Sequence, residues 1–182
     1  MGLLNAFQRR GRPELGEIKH DYRVELPGFG ATYRRADESP ELTRSAEGRG
    51  PDPDTAGRGL GAHNSTQNAF ADALKSAGYL PQSPKPNEPD YDVGWEVGTV
   101  VWVGEVKSLT PANEERQMRT ALGQVLRYRQ SLMALGHEVR AAVITEHEPQ
   151  DATWAALLEE NGVALVFPAN FESFVAALGT PD

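Results

Sequence analysis

A segment near the middle of the chain, YDVGWEVGTVVWVGEVK at positions 91–107, holds residues whose types and spacing could do chemistry. Side chains at positions i and i+2 of a β-strand share a face, so Glu105 and Lys107 project side by side. One reading is an exposed ion pair, which contributes under about 1 kcal/mol. The surrounding TVVWVGEV is apolar enough for a central strand, where an uncompensated charge costs several kcal/mol. The pair is therefore predicted to line a site.

A second carboxylate is expected beside this pair. Asp92 opens one predicted strand and Glu105 ends the next, so a hairpin brings their side chains together. Two carboxylates held close repel one another unless a cation lies between them, and Mg²⁺, with Mn²⁺ as a substitute, is the expected ion. Asp90 competes for this role but also suits a turn. Asp92 is preferred because Val93 and Trp95 place it within the strand.

Lys107 completes the chemical set, because it shares a face with Glu105. An amine in this place holds or activates a water molecule beside the metal, or stabilises charge on a phosphoryl oxygen. Two acidic metal ligands and one lysine are the parts of a metal-dependent phosphodiester hydrolase. The segment therefore predicts hydrolysis of phosphodiesters.

The elements that must position these residues follow from the apolar periodicity after residue 63. Asn64 or Ser65 is a candidate cap for a first helix that Gly78 ends. Strands are predicted at about 91–96, 99–107, 139–145 and 163–167, and helices at about 66–78, 113–135, 151–162 and 170–178. The first two strands form an antiparallel hairpin, and strands separated by helices pair in parallel. The sequence predicts an α/β domain with a mixed central β-sheet flanked by α-helices.

PDYDVGW and GEVKS together resemble the signature of the PD-(D/E)XK nuclease superfamily, an acid at one strand start and Glu-x-Lys at the next strand end. GQVLRYRQ places Gln124 and Tyr128 one turn apart on the long helix, which resembles the QxxxY element of the RecB-like branch. The resemblance covers about 63–146. It implies a restriction-endonuclease-like core with the order helix, three-stranded hairpin region, helix, strand. It also implies that Gln124 and Tyr128 steady the lysine or the DNA strand; otherwise both are ordinary polar helix residues.

The resemblance also bears on His63, which the predicted elements place just ahead of the first helix. In the RecB-like branch a histidine at such a place supplies an extra metal ligand, which implies a metal site of Asp92, Glu105 and His63. The alternative is a histidine that merely neighbours the helix cap. Gln67, one turn further, would face the same cleft, but its amide is a weaker ligand than a carboxylate. If both point away, a one-metal site is favoured over a two-metal site.

Positive charge is unevenly distributed. Residues 1–60 hold ten basic and ten acidic side chains, so the formal net charge of −8 arises entirely from residues 61–182. Only eight basic residues occur there, and five of them lie close together in the sequence: Lys107, Arg116, Arg119, Arg127 and Arg129. Because arginine suits phosphate, the four arginines are predicted to contact a nucleic-acid backbone. The alternative is ordinary helix-surface arginines, and the four cannot all share one face with Gln124 and Tyr128.

Two regions are predicted. Residues 1–60 form an N-terminal arm and Gly/Pro-rich linker, with a possible hairpin at YRVELPGFGATYRR, and residues 61–182 form the nuclease-like domain. The arm is expected to dock on a partner or a second copy, giving a homodimer or a larger nuclease complex. With no cysteine and no apolar run long enough for a membrane span, we expect a soluble, cytoplasmic protein.

The sequence thus predicts a Mg²⁺-dependent enzyme that cleaves DNA, serving DNA repair or defence against foreign DNA. Asp92 and Glu105 hold the metal, and Lys107 positions and helps to deprotonate the attacking water. Two alternatives stay open. The fold could be catalytically silent and only bind DNA or a protein partner, which the acidic surface favours. The chain could also be the cutting subunit of a larger complex.

Overall fold

The computed structural model describes residues 28–39 and 57–179, which fold into a mixed β-sheet with helices on both faces. The strands are β1 Ala31–Thr32, β2 Gln82–Ser83, β3 Val93–Val97, β4 Val100–Lys107, β5 Glu138–Thr145 and β6 Val163–Val166. The helices are α1 Gly57–Ser76, α2 Glu114–Ala134, α3 Thr153–Glu160 and α4 Phe171–Ala177, with a 3-10 turn at Pro168–Asn170. The predicted α/β class, a mixed central sheet flanked by helices, is confirmed.

The strands are hydrogen-bonded in the same order as they follow one another in the chain. Strands β1 to β4 are antiparallel neighbours, whereas β4–β5 and β5–β6 are parallel because α2 and α3 carry the chain back across the sheet. Gly98, with a φ of 57°, makes the turn between β3 and β4. This turn sets the register Trp95↔Trp102 and Val93↔Gly104. The predicted hairpin and parallel crossovers are therefore confirmed.

Strand β4 divides its side chains between two apolar layers. Val101 and Val103 face α2 and α3, whereas Trp102 and Val106 face α1 and α4. The three tryptophans, Trp95, Trp102 and Trp154, are buried in these layers. Following the alternation, Glu105 and Lys107 occupy the last two positions of the row that faces α2. The strand therefore carries its two charges into a buried layer.

Helix α1 begins earlier than predicted. It starts at Gly57, whereas Asn64 and Ser65 were expected to cap it; both residues lie inside the helix. The side chain of Asn64 donates to the carbonyl of Asp37, and Asn68 bonds both backbone groups of Ala36. Asn64, a candidate cap in the sequence, therefore holds segment 33–38 against the helix together with Asn68.

Residues 28–39 belong to the domain, which corrects the predicted boundary at residue 60. Strand β1 extends the sheet beside β2, and Phe29 is buried with its ring stacked on Tyr91 at 5.4 Å. A Cβ at Gly94 would lie 2.5 Å from the Phe29 ring, so the absence of a side chain there makes room for it. The first half of the predicted hairpin and most of the predicted linker lie outside the described residues. Within 28–39 and 57–179, no helix combines the length and apolar character that crossing a membrane requires.

Candidate active site at the ends of β3 and β4

Asp92 lies at the edge of β3, held against the neighbouring strand. Its backbone N–H donates to the carbonyl of Gly104 at 3.1 Å, and its Oδ2 accepts the backbone N–H of Val106 at 2.7 Å. Continuing the register Val93↔Gly104 by one residue places Asp92 opposite Glu105. Asp90 is exposed. Of the two aspartates weighed as metal ligands, Asp92 is therefore the one that lies beside Glu105.

Glu105 and Lys107 form a buried ion pair. Their side chains are 5% and 2% exposed, and Lys107 Nζ lies 2.8 Å from Glu105 Oε1. The reading as an exposed surface pair is therefore wrong. Removing two charges from water is costly, and the short contact between them only partly offsets that cost. A buried pair of this kind indicates a site more than a stabilising contact.

Helix α2 supplies two further polar groups to the same place. The Tyr128 hydroxyl donates to Glu105 Oε2 at 3.0 Å and accepts from Gln124 Nε2 at 3.2 Å. The one-turn spacing thus brings Gln124 and Tyr128 to one face, as predicted. Burial, followed by the charge of Glu105, raises the pKa of Tyr128 above its usual range, so the hydroxyl stays a donor. The two residues hold Glu105 rather than project into open solvent.

The environment of Glu105 favours its protonated form. Burial is the largest cause and the nearby charge of Asp92 the second, and together they raise the pKa of Glu105 to about 7. Lys107 and Tyr128 act in the opposite direction but only in part. At neutral pH the two acids therefore lack sufficient compensating positive charge.

Helix α1 contacts the site through His63 and Gln67. His63 Nε2 lies 3.4 Å from Asp92 Oδ1, and Gln67 Nε2 donates to the backbone carbonyl of Asp92 at 2.7 Å. His63 lies in the second turn of α1, not ahead of the helix as predicted, because α1 begins at Gly57. Both side chains nevertheless point toward Asp92. Of the two arrangements considered, facing the cleft or pointing away from it, the structure shows the first.

The donor set fits a hard divalent cation. Asp92 and Glu105 provide carboxylate oxygens, the ligands that Mg²⁺ and Mn²⁺ prefer, and a cation would relieve the repulsion that raises the pKa of Glu105. Across residues 28–39 and 57–179, no three His, Cys, Asp or Glu side chains form a group that could hold a metal ion. Coordination of a metal ion by His63, as a third ligand beside Asp92 and Glu105, stays a prediction.

Three of the four predicted nucleic-acid-binding arginines make contacts within the fold. Arg129 Nη1 donates to the carbonyls of Asn161 and Gly162 at 2.9 and 3.3 Å, which ties α2 to the end of α3. Arg119 pairs with Glu115 at 3.2 Å on the exposed side of α2. These contacts give Arg129 a structural role.

Arg116 and Arg127, the other two arginines of this set, lie exposed on α2. Arg127 Nη1 donates to Gln130 Oε1 at 2.6 Å on the same helix. Nucleic-acid binding by Arg116, Arg119, Arg127 and Arg129 stays a prediction.

A further ion pair beside the site was not predicted. Arg58 Nη2 lies 2.6 Å from Glu146 Oε1, while Glu146 Oε2 accepts the N–H of Leu109 and its own N–H donates to the carbonyl of Lys107. The partners are 88 residues apart, so no local pattern reveals them. One signal was available: Glu146 directly follows a buried parallel strand, and the carboxyl ends of such strands are where α/β sheets bind ligands.

No protein-family model and no curated protein matches the sequence. A solved structure with a similar fold is the small subunit of the heterodimeric restriction endonuclease R.BspD6I. It is 15% identical, with 62% of this chain and 67% of that chain covered and a TM-score of 0.44. A likeness at this level carries no argument about activity, metal or partners.

The elements themselves settle the topology. Helix α1, the antiparallel strands β2, β3 and β4, helix α2 and the parallel strand β5 follow one another in the predicted restriction-endonuclease-like order. Membership of the PD-(D/E)XK superfamily and of its RecB-like branch stays a prediction.

Proposed function

We propose that the protein is a metal-dependent nuclease that hydrolyses phosphodiester bonds of DNA. The observation that carries the proposal is the buried Glu105, placed opposite Asp92 and bonded to Lys107 at 2.8 Å. A protein gains little stability from burying an acid and a base together and placing a second acid beside them, whereas active sites use such groupings. Service in DNA repair or in defence against foreign DNA belongs to the same proposal.

Each residue of the site has a definite part in this reaction. Asp92 and Glu105, with His63 beside them, would hold Mg²⁺ or Mn²⁺. When bound, such an ion polarises the scissile phosphate and lowers the pKa of a water molecule. Lys107 positions the attacking water, and its positive charge helps the water to lose a proton and stabilises the negative charge that develops on the phosphoryl oxygens.

The second layer of the site keeps these groups in place. Tyr128 donates to the oxygen of Glu105 that Lys107 does not contact, and Gln124 fixes the Tyr128 hydroxyl. On the other side, the N–H of Val106 fixes the Asp92 carboxylate, and Gln67 fixes its backbone. Both acids are therefore pre-oriented, so little reorganisation accompanies the reaction.

The direct test is cleavage of labelled single- and double-stranded DNA with Mg²⁺, with Mn²⁺ and with a chelator. We expect the parent to cut only with a divalent metal, and Glu105→Ala and Lys107→Ala to cut at background level. Matched controls are Glu159→Ala and Lys75→Ala, exposed residues of the same types, which should cut like the parent. Equal cleavage by the site variants and the parent would show that the assignment is wrong.

A second candidate is a nuclease-like module that only binds DNA or a protein. It is favoured by the hydrogen bonds in the site: both oxygens of Glu105 and Oδ2 of Asp92 accept bonds from the protein itself. Thermal unfolding with increasing Mg²⁺ separates the candidates, because an ion that binds only the folded state raises the melting temperature. A nuclease should show a rise that Glu105→Ala abolishes; a binding module should show none.

Association with a partner or a second copy through residues 1–60 also stays a proposal. Residues 28–39 pack on this chain's own domain, so the proposal now concerns the parts of the arm outside the described residues. Light scattering of the full chain and of a chain beginning at residue 28 tests it. We expect the particle masses of the two chains to differ by more than the mass of the deleted residues. Identical oligomeric states would contradict association through residues 1–27.

A further inference from the structure

Helix α1 lies across the ends of three neighbouring strands. Gln67 and His63 contact Asp92 at the edge of β3, whereas Arg58 contacts Glu146 just after β5. Neighbouring strands are about 4.8 Å apart, so these two contacts are separated by roughly 10 Å across the sheet. Five residues of helix, from His63 back to Arg58, cover about 7.5 Å of that distance. The helix therefore forms one wall of the site, and Arg58 lies at the end of that wall.

The two partners of this ion pair are held very differently. Glu146 is fixed to the segment after β4, because its N–H donates to the Lys107 carbonyl at 3.0 Å and its Oε2 accepts from Leu109 at 3.2 Å. The Arg58 side chain is 59% exposed and reaches Glu146 at its tip. An ion pair at the surface contributes little to stability. Arg58 is thus an exposed cation beside the site, bonded at its tip to a fixed carboxylate.

The charge of the surrounding domain makes this cation notable. Residues 61–182 have twice as many acidic as basic side chains, sixteen against eight. Lys107, the cation inside the site, is buried and bonded to Glu105. A nucleic-acid strand that approaches this acidic domain needs positive charge on the protein. Arg58 supplies such a charge where the ends of the β-strands meet α1.

We propose that Arg58 binds a backbone phosphate a few nucleotides away from the scissile phosphate of the nucleic-acid strand, and that Glu146 holds the guanidinium in place until that phosphate replaces it. The guanidinium can bond two phosphate oxygens at once. Charges along one strand follow at about 3.4 Å, so a group roughly 10 Å from Asp92 meets a phosphate a few nucleotides from the cleaved bond. The inference rests on the proposed function, since it takes DNA as the ligand of this site.

The test is binding without cleavage. Fluorescence anisotropy of a labelled single-stranded oligonucleotide of about 20 nucleotides is followed in a chelator, between about 50 and 200 mM salt. We expect Arg58→Ala to raise the Kd about tenfold and to lower the slope of log affinity against log salt by about 0.7, the value for one phosphate contact on a single strand. Arg58→Lys should keep the slope and lose part of the affinity, because an ammonium cannot bind in the two-pronged manner.

The matched control is the exposed pair of Arg35 and Asp72, at 2.8 Å, further along α1. Asp72 lies nine residues beyond His63, about 13 Å further along the helix, on the side away from Arg58. Arg35→Ala should leave both the Kd and the salt slope near the parent values. If Arg58→Ala and Arg35→Ala bind alike, Arg58 is not a phosphate ligand and the proposal is wrong. Melting temperatures of both variants confirm that each is folded.

The role of Glu146 is tested by a double-mutant cycle. Glu146→Gln should tighten binding severalfold when Arg58 is present, because the guanidinium loses its competing anion, and have little effect in the Arg58→Ala background. The same cycle with Asp72→Asn and Arg35→Ala should show no coupling. Equal tightening by Glu146→Gln in both backgrounds would mean a general charge effect and would overturn the exchange between Glu146 and phosphate.

These outcomes are independent of cleavage. A parent that cuts DNA normally, with Arg58→Ala binding as well as the parent, would overturn this proposal and keep the nuclease. A parent that binds DNA through Arg58 but cuts none with any metal would overturn the nuclease and keep this proposal.

Discussion

Two buried glutamates, nine residues apart, lie on either side of the loop between β4 and α2. Glu105 is 4% exposed and Glu114 is 8% exposed, and both oxygens of each accept hydrogen bonds. The partners of Glu114 are two backbone N–H groups, of Gln150 and Asp151. The partners of Glu105 are the ammonium of Lys107 and the hydroxyl of Tyr128.

The two environments differ mainly in the charges nearby. Glu114 joins the first turn of α2 to the loop before α3, as a structural hydrogen-bond acceptor does. Glu105 lies beside a second carboxylate, Asp92, which adds to burial in raising its pKa to about 7. Burial and complete hydrogen bonding therefore do not distinguish a site from a structural contact. A second carboxylate beside the first does distinguish them, because two like charges held close together have no structural benefit.

The largest difference is expected in cleavage. Glu105→Gln removes a metal-binding charge while keeping the shape, and should lower the rate with Mg²⁺ about a thousandfold, since metal stabilisation of the transition state is worth several kcal/mol. Glu114→Gln should change the rate per folded molecule less than about threefold. Initial rates normalised to folded protein measure both. Comparable losses of cleavage rate in Glu105→Gln and Glu114→Gln would show that the neighbouring carboxylate does not mark Glu105 as an active-site residue.

The sequence revealed which of these side chains lie together largely because the signals are local. Strand alternation placed Glu105 and Lys107 on one face, the hairpin placed Asp92 opposite, and helical spacing joined Gln124 to Tyr128. Each of these relations depends on a few neighbouring residues and a known period. The same reasoning located β3, β4, β5 and α2 to within about two residues.

The relations that the sequence did not reveal depend on distant contacts. The first turns of α1, GRGLG, are rich in glycine, which disfavours helix, and one contact of that stretch is the ion pair from Arg58 to Glu146. Strands β1 and β2 have two residues each, too short for periodicity to show. The fit of Phe29 over Gly94 joins positions 65 residues apart. A glycine inside a strand was the one local hint of that close approach.

The second prediction concerns stability. Lys107→Met leaves Glu105 buried without its cation, which should cost about 3–5 kcal/mol in free energy of unfolding at pH 8. The cost should be smaller at pH 5.5, because the variant protonates Glu105 instead of burying its charge. Urea unfolding at the two pH values measures it. Glu114→Gln, which weakens two hydrogen bonds, should cost about 1–3 kcal/mol at pH 8. A cost for Lys107→Met that is the same at both pH values would contradict the prediction.

The third prediction is the pH dependence of the parent. The folded pKa of Glu105, about 7, lies above the unfolded value of 4.5, so between these values the folded state binds more protons. Stability from this group is fully present below about pH 4.5 and is lost as the pH rises through 7, by at most about 1.4 kcal/mol per pH unit. Subtracting the profile of Glu105→Gln isolates the effect. Mg²⁺ should flatten it, since a bound cation favours the ionised carboxylate; a slope of opposite sign would refute the assignment.

The smallest effect is expected at the hydrogen bond that α2 supplies. Tyr128→Phe keeps the ring and removes the donor to Glu105 Oε2, which should cost about 1.5 kcal/mol and raise the pKa of Glu105 further, because a bond to the charged form is lost. Activity needs the ionised carboxylate, so cleavage at pH 7 should fall about tenfold and recover in part toward pH 8.5. Tyr79→Phe, which removes a hydroxyl bonded to the carbonyl of Gly179 at 2.7 Å, is the matched control and should leave the pH profile in place. A loss in Tyr128→Phe that is equal at every pH would show that the hydroxyl orients other groups and does not act on the charge of Glu105.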